Sequence, residues 1–308
     1  MNKTLLFNLG GKIYSYGLYI PVSNIVLNKA GNRLPEAWAN RIFETRYRKI
    51  TDRLKKIAGP IEIEAKPADL NDGPVWSIWL QGEDSMPAVV KLCIDSIRRN
   101  IDDRPVNIIT FKNMHNYLDL GGRIMDLHKA GRIDHIHFAD LIRMRLIADH
   151  GGMWADGTIF LSQNLDPDWF KLPFYSIKNP LSGRFVSRNR WTGFCFAGAR
   201  GAATPKVVDT IFRRYWESQD WRMDYFLIDA CINLAYETVP QVKAEIDAVP
   251  YNNPQLYAMR DLLCEPFDKE KYDRVTADTS IFKLNWRASN NPALTSPDSF
   301  FSHLKGMI

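Results

Sequence analysis

The chain has 308 residues, of which 45% are hydrophobic and 24% charged, and its formal net charge is +5. These are ordinary values for a globular protein. The mild basic excess suits an anionic ligand or a membrane surface and is far from a nucleic-acid signature. No stretch approaches the roughly 20 apolar residues of a membrane-spanning helix, so we expect no such helix.

Cysteine usage and the first residues bear on the compartment. The four cysteines are widely spaced and form no CxxC pair, so we expect buried thiols in a reduced compartment. The segment from Met1 to Gly11 resembles a signal peptide only superficially, because its apolar part is short and interrupted. We expect a cytoplasmic protein, with a peripheral position on the inner face of the plasma membrane as the alternative.

Residues 1–70 form what we predict to be an N-terminal helical, basic arm. Between Leu34 and Ala58, basic and apolar residues alternate at nearly helical spacing. The first interpretation is a helix that packs one face on the body of the protein and leaves its basic face in solvent. The alternative is an interfacial helix attracted to an anionic membrane surface. A segment with several prolines then separates the arm from residues 71–308.

From Val75 onward, short apolar strands alternate with helices. We predict strands at 75–80, 106–110 and 153–161, the last with a polar interruption at Asp156-Gly157-Thr158. We predict helices at 87–99, after Asn113 and at 137–150. This alternation predicts an α/β fold with a mixed, mainly parallel sheet flanked by helices. Ligands of such sheets bind at the carboxyl ends of the strands. Further along, we predict helices at 205–218 and 224–239, a loop-rich stretch at 251–272 and an apolar segment at 280–286.

A carboxylate stands where the third strand should end, in the run Asp156-Gly157-Thr158. An acid followed by glycine and a hydroxyl is a sparse but suitable ligand set for a hard divalent cation. In isolation, Asp-Gly is also typical of a plain turn. Upstream, Asp140 and Arg143 share one helix face. They form either a surface ion pair or a polar pair that projects toward the same cleft and binds sugar hydroxyls.

Three motifs together resemble the capsular polysaccharide synthesis proteins, within the broader group of DXD glycosyltransferases that includes yeast mannosyltransferases and, more distantly, clostridial glucosylating toxins. The motifs are Ile78-Trp79-Leu80-Gln81-Gly82, Ala139-Asp140-x-x-Arg143 and Gly151-Gly152-x-Trp154-x-Asp156-x-Thr158. The resemblance covers about residues 75–165. Two later runs, 224–229 and 283–286, are also similar to that family.

The resemblance implies a GT-A fold with a nucleotide-sugar half at 75–165 and an acceptor side with a closing segment at 166–308. It implies a sugar donor usually carried on UDP, and manganese or magnesium bridging the diphosphate. Asp140 and Arg143 match residues that hold the donor sugar, and Asp156 matches the first acid of DXD. Thr158 departs from the pattern, because the broader group has a second acid there. We assign Trp79, Gln81, Thr110 and Trp154 to binding of the nucleotide.

The remaining candidates depend on weaker signals. Asp229 lies on a helical stripe that is either a solvated face or part of the cleft. Lys283, Asn285 and Trp286 are placed to close over the diphosphate, although Trp286 is equally consistent with a core aromatic. His303 is a further metal ligand by analogy alone. His135 and His137 are interpreted as a loop or helix-start feature, with metal ligation as the minority alternative.

These assignments predict a metal-dependent glycosyltransferase of the hexosyltransferase type. Its partners are a nucleotide-sugar donor and a saccharide or lipid-linked saccharide acceptor, without nucleic acid. The resemblance implies that the anomeric configuration is retained. Because no residue is required as a covalent nucleophile, we expect front-face displacement. One alternative is a non-catalytic sugar-nucleotide or polysaccharide-binding protein on the same fold. A nucleotidyltransferase is disfavoured, because the segment after the first strand is acidic rather than basic and glycine-rich.

Overall fold

The computed structural model describes residues 12–308 except positions 14, 31–32, 63–65, 68–70, 102, 182 and 184. The segment from Met1 to Gly11, which we compared with a signal peptide, lies outside the described residues. Within the described part of the chain, no helix combines the length and the apolar character needed to cross a bilayer.

The described residues form seven short strands: β1 (Val75–Ile78), β2 (Val106–Ile109), β3 (Gly152–Ala155), β4 (Ile159–Leu161), β5 (Phe174–Ser176), β6 (Cys195–Gly198) and β7 (Ile281–Lys283). Five of them build a central sheet in the order β2-β1-β3-β6-β5. In this sheet β1 pairs in parallel with β2 and β3, whereas β6 pairs antiparallel with β3 and β5. The strands β4 and β7 form a separate antiparallel pair.

Helices flank both sheets. The described residues contain α1 (Tyr19–Ala30), α2 (Glu36–Ala58), α3 (Ala88–Asn100), α4 (Gly122–Lys129), α5 (His135–His150), α6 (Ala203–Ser218), α7 (Leu227–Thr238), α8 (Pro240–Asp247), α9 (Ala258–Leu262), α10 (Lys269–Thr276) and α11 (Phe300–Met307). Short 3₁₀ turns lie at Glu83–Ser85, Met114–Asn116, Pro167–Phe170, Trp286–Asn290 and Pro292–Thr295. The predicted mixed, mainly parallel sheet with flanking helices is confirmed.

The structure divides one predicted strand and shortens one predicted helix to a single turn. The segment 153–161 is divided at its predicted polar interruption into β3 and β4, because the Ile159 amide donates to the carbonyl of Asp156 and turns the chain into the second sheet. The helix predicted after Asn113 is wrong, because Asn113 precedes only the 3₁₀ turn Met114–Asn116 and its side chain makes no capping hydrogen bond to that turn. Its side chain accepts from the Thr110 amide at 2.7 Å and donates to the Ile108 carbonyl at 2.9 Å, which closes the turn after β2.

Tight backbone packing fixes the start of β3 in the middle of the sheet. Gly152 has a φ of +101°, and a Cβ built there would lie 1.9 Å from the Pro74 carbonyl oxygen. Only glycine fits such an approach. The side chain of Asn71 clamps the same residue by accepting from its amide at 2.8 Å and donating to its carbonyl at 3.2 Å. The strand therefore leads into Asp156 from a fixed position.

The apolar face of α2 packs against α6 and α7, as the first interpretation of the arm predicts. Its buried Ile50, Leu54 and Ala58 belong to the same hydrophobic cluster as the central sheet. One basic residue of the helix does not face solvent. Arg46 is 2% exposed and forms a salt bridge with Asp224, which is 5% exposed. The arm is thus tied to the segment that leads into α7.

The other basic residues of α2 lie on its outer surface. These exposed residues are Arg41, Arg48, Lys49, Arg53, Lys55 and Lys56. Arg53 also donates to the Ser15 carbonyl at 2.6 Å. Binding of this surface to anionic lipid stays a prediction, with Arg46 removed from the set of residues that could take part.

The buried Arg46–Asp224 pair yields a stability prediction. Arg46→Ala should lower the free energy of unfolding by about 3–5 kcal/mol, because Asp224 is left as an uncompensated buried charge. Arg41→Ala, on the exposed face of the same helix, should change it by less than about 0.5 kcal/mol. Urea denaturation of the two variants measures both values. Equal stabilities would show that the pair does not anchor the helix.

Candidate active site

The carboxylate of Asp156 lies at the carboxyl end of β3, and each of its oxygens has a partner. Lys283 donates to Oδ2 at 2.8 Å. The indole N–H of Trp154 donates to Oδ1 at 2.8 Å, and the guanidinium of Arg143 lies 3.4 Å from the same oxygen. The Asp156 amide donates to the Phe194 carbonyl at 2.9 Å, which fixes the backbone as well. The side chain is 23% exposed, so a ligand can still reach it.

Electrostatics keep Asp156 ionised. Burial acts to raise the pKa of its carboxyl group, but Lys283 and Arg143, with the hydrogen bonds from Lys283 and Trp154, outweigh burial and lower the pKa. The two cations come from β7 and α5 respectively. Asp156 therefore joins parts of the chain that are more than a hundred residues apart into one charged cluster.

Asp140 and Arg143 lie on the inner face of α5, and their nearest atoms are 3.0 Å apart. Both are buried, at 3% and 6% exposed, so the surface ion pair considered from the sequence does not describe them. Arg143 also donates to the Gly193 carbonyl, and its guanidinium lies 5.2 Å from the centre of the Trp154 ring. Burial raises the pKa of Asp140 despite the attraction of Arg143.

The helix that carries this pair begins at a well-formed cap. The side chain of Asp134 accepts from the His137 amide at 3.0 Å at the start of α5. The buried His137 ring contacts Asp134 through Nδ1 and the Tyr225 carbonyl through Nε2. The interpretation of His135 and His137 as a helix-start feature is thus confirmed.

Asp229 is half-buried on α7 and faces a cleft of about 740 Å³ rather than bulk solvent. The indole N–H of Trp191 donates to it at 3.0 Å. Burial raises the pKa of Asp229 to about 7, against a smaller opposing effect of the Trp191 hydrogen bond and a supporting one from Asp140. Gly193 and Phe194 line the same cleft and contact the Asp156 cluster, so the cleft and the cluster adjoin.

Several predicted nucleotide-side residues lie at the same edge of the sheet without joining the charged cluster. Trp79 directly follows β1 and donates to Ser85 at 2.9 Å, and its ring lies beside Gly157. Gln81 is exposed in the turn after β1, and the hydroxyl of Thr110 accepts from the Asn113 amide after β2. Their contact with a nucleotide stays a prediction.

The three residues predicted to close over the diphosphate, Lys283, Asn285 and Trp286, have different surroundings in the structure. Lys283 reaches Asp156, but the side chain of Asn285 caps the following 3₁₀ turn by accepting from the Arg287 amide at 3.1 Å. Trp286 is 41% exposed, which removes the alternative of a core aromatic. A closing role of Asn285 and Trp286 over a diphosphate stays a prediction.

The residues around Asp156 do not fit a resident divalent cation. Among the described residues, no three His, Cys, Asp or Glu side chains are grouped to hold a metal. Thr158 is held through its backbone, where its carbonyl accepts from the Leu284 amide at 2.8 Å. His303 lies in the C-terminal helix α11, and its ring stacks on the ring of Phe267 with 3.5 Å between the ring centres. A cation at Asp156 would also face the Lys283 ammonium, and two unit charges of like sign at 4 Å repel by about 4 kcal/mol near a protein surface.

Sequence reasoning missed the run from Trp191 to Phe194. Trp191 binds Asp229, the carbonyl of Gly193 binds Arg143, and Phe194 lies under the Lys283 ammonium at 4.7 Å. The run precedes β6, and the pairing of Ala155 with Cys195 brings it beside Asp156. The only sequence signal was an aromatic and glycine-containing run before a strand, and the antiparallel pairing that gives it meaning is not visible in the sequence.

Comparisons with known proteins place the chain in a family. A search of curated proteins finds no match. A solved structure titled "PaToxG Glycosyltransferase" is similar over 87% of this chain and 96% of that chain, at 12% identity and a TM-score of 0.41. The family profile "Capsular polysaccharide synthesis protein" matches residues 32–304, which include the arm helix α2, the Asp156 cluster and Lys283. The chain therefore belongs to the capsular polysaccharide synthesis protein family.

Proposed function

We propose that this protein is a retaining glycosyltransferase with a GT-A-type fold. It moves a hexose from a nucleotide sugar, with UDP as the carrier, to a saccharide or lipid-linked saccharide in the synthesis of a surface polysaccharide. The observation that carries the proposal is the cluster of Asp140, Arg143, Asp156 and Lys283 at the carboxyl end of β3. Family membership supports the same conclusion. Ligands of open α/β sheets bind at this edge.

The cluster combines the two kinds of group that a sugar diphosphate needs. Lys283 supplies a mobile positive charge for phosphate oxygens. Asp140 and Arg143 supply an acceptor and a fork of donors for sugar hydroxyls. The Nε atom of Arg143 is buried and has no hydrogen-bond partner among the described residues, so a donor hydroxyl or a water bound there would satisfy it.

The reaction follows from these positions. The acceptor hydroxyl oxygen bonds to the anomeric carbon on the side of the leaving group. The anomeric C–O bond breaks, its electron pair stays on the nucleoside diphosphate, and the hydroxyl proton passes to that phosphate. Lys283 stabilises the charge that develops on the leaving group, and such preorganised stabilisation is usually the largest catalytic effect. Asp140 and Arg143 orient the sugar.

The cleft beside Asp229 is the proposed acceptor site. Its wall carries the exposed aromatic rings of Phe185, Phe226 and Tyr257, on which the apolar faces of sugar rings can pack. Asp229 offers a carboxylate for an acceptor hydroxyl. Because Gly193 and Phe194 line the cleft and also contact the Asp156 cluster, an acceptor in the cleft would lie next to a donor at the cluster.

The sequence-based expectation of manganese or magnesium, with Asp156, Thr158 and His303 as ligands, stays a prediction. Since the side chains around Asp156 do not fit such an ion, no step of the proposed reaction depends on it.

The first functional prediction concerns Asp156. Asp156→Asn should lower the release or transfer of sugar from UDP-hexoses by about 100-fold or more, because the neutral amide no longer orients Lys283 and Arg143. Thermal melting of the variant should still show a cooperative transition, which establishes that it is folded. Asp149→Asn, a surface variant on α5, is the control and should keep full activity. Wild-type protein that binds UDP-hexoses but never releases sugar would instead be a non-catalytic binder.

The second functional prediction separates sugar from nucleotide. Asp140→Asn and Arg143→Lys should weaken binding of a UDP-hexose by about tenfold, which corresponds to one lost charge-assisted hydrogen bond. Binding of UDP alone should change by less than about threefold. Isothermal titration calorimetry with both ligands gives the two ratios. An equal loss for both ligands would assign the pair to folding rather than to the donor sugar.

The third functional prediction concerns the pH dependence of stability. The pKa of Asp229 is raised from 3.8 to about 7, so between these values the folded protein holds a proton that the unfolded chain has released. The free energy of unfolding should therefore fall as pH rises through this window. Asp229→Asn removes this effect. Its stability relative to the wild type should rise from about pH 4 to about pH 7 and then level off.

Denaturation curves of the wild type and the Asp229→Asn variant across this range measure the difference, in which the contributions of all other groups cancel. A difference that does not vary with pH would mean that Asp229 keeps an ordinary pKa.

A further inference from the structure

The ammonium group of Lys283 lies directly on Asp156, the residue that the sequence assigns to a metal ion. The two groups are 2.8 Å apart, and both are only partly exposed, at 20% and 23%. We infer that Lys283 neutralises the donor diphosphate in place of a divalent cation, so that donor binding needs no metal. This inference rests on the proposed function and adds how its leaving group is stabilised.

Charge balance favours the replacement. A site with two carboxylates and one divalent ion is neutral, because two negative charges meet two positive charges. Here Thr158 stands in place of the second acid, and Lys283 adds a single positive charge beside the single carboxylate of Asp156. The pair is again neutral. Asp156 and Lys283 therefore form a pair without net charge, and this pair needs no metal ion for its charge balance.

The backbone holds Lys283 at this position. It lies on β7, where it pairs with Ile159 of β4, and its amide donates to the Leu256 carbonyl at 2.8 Å. The next residue, Leu284, donates to the Thr158 carbonyl at 2.8 Å. The turn that carries Thr158 is thus fastened to the strand that carries Lys283. This arrangement is a fixed part of the site, in contrast to a surface lysine that pairs by chance.

The geometry also leaves Lys283 able to bind a phosphate. An ammonium group has three N–H donors, and one of them is used by Asp156. The aromatic ring of Phe194 lies 4.7 Å below the charge and supports it without using a donor. Among the described residues no second acceptor for this ammonium group is found, so two N–H groups remain for oxygens of a diphosphate. Asp156 would hold the ammonium group in place before and after the donor binds. It would act as the anionic partner of Lys283 rather than as a metal ligand.

The test measures UDP binding by isothermal titration calorimetry, with EDTA and with manganese, in four proteins. Wild-type protein should bind UDP in EDTA, and manganese should change its Kd by less than about threefold. Lys283→Ala should weaken binding in EDTA about tenfold or more, as expected for the loss of a charge-assisted hydrogen bond. Lys283→Arg keeps the charge and should retain metal-free binding. Lys305→Ala, an exposed lysine on α11, is the matched control and should behave as the wild type.

A fifth protein tests the charge balance directly. The double variant Lys283→Ala with Thr158→Asp rebuilds two carboxylates without the ammonium group. It should bind manganese, detected by loss of the free-ion electron paramagnetic resonance signal, and bind UDP only in the presence of that ion. The wild-type protein without nucleotide should leave the signal unchanged. Thermal melting of each variant shows that it is folded.

The outcomes separate this inference from the proposed function. Wild-type binding of UDP that is lost in EDTA and restored by manganese would overturn the inference and leave the proposed function standing. Wild-type affinity of Lys283→Ala in EDTA would also overturn it. A wild-type protein that binds no UDP under either condition would contradict the proposed function and the inference together.

Discussion

The carboxylate of Asp156 is held in the protein as an anion, and the rest of the candidate site depends on how its charge is balanced. Burial alone would favour the protonated form, so ionisation requires the nearby cations. One comes from α5 and the other from β7, and the indole of Trp154 adds a hydrogen bond. Each cation is in turn oriented by Asp156. The sheet, the helix and the C-terminal strand are therefore linked through one side chain.

The fold supplies the rigidity that this arrangement needs. Gly152 allows β3 to pass against the Pro74 carbonyl, and the Asn71 side chain clamps it there. The antiparallel partner β6 brings Phe194 against Asp156, and β4 pairs with β7 to fix Lys283. Just before the start of α7, the buried Arg46–Asp224 pair fastens the arm helix to the segment that precedes Asp229. The arm is thus mechanically connected to the wall of the proposed acceptor cleft.

The sequence was informative where one local pattern determines the structure. The alternation of apolar strands and helices predicted the layered sheet, and Gly151-Gly152 followed by an acid predicted a carboxylate at a strand end. Asp140 and Arg143 were brought onto one face by helical spacing. Contacts between distant segments were not predictable. Nothing in the basic run of α2 marks Arg46 as the buried member, because its partner Asp224 lies 178 positions away.

The same limit applies to Lys283 and to the run from Trp191 to Phe194. A lysine near the end of a short strand suggests a phosphate ligand, but only the pairing of β4 with β7 places it on Asp156. The departure at Thr158 was visible in the sequence as a missing acid. The consequence of this missing acid became clear only from the structure, which places the Lys283 ammonium group beside the remaining acid, Asp156. Asp229 was ambiguous for a related reason, since helical periodicity does not distinguish a solvated face from a cleft wall.

A crystal structure of the protein with a bound UDP-hexose tests the proposed donor site most directly. The diphosphate should lie within hydrogen-bond distance of the Lys283 ammonium group. The sugar ring should contact Asp140 and Arg143, and the anomeric carbon should face the cleft that holds Asp229. A donor bound elsewhere on the protein, with the Asp156–Lys283 pair undisturbed and out of reach of any phosphate, would contradict the central claim.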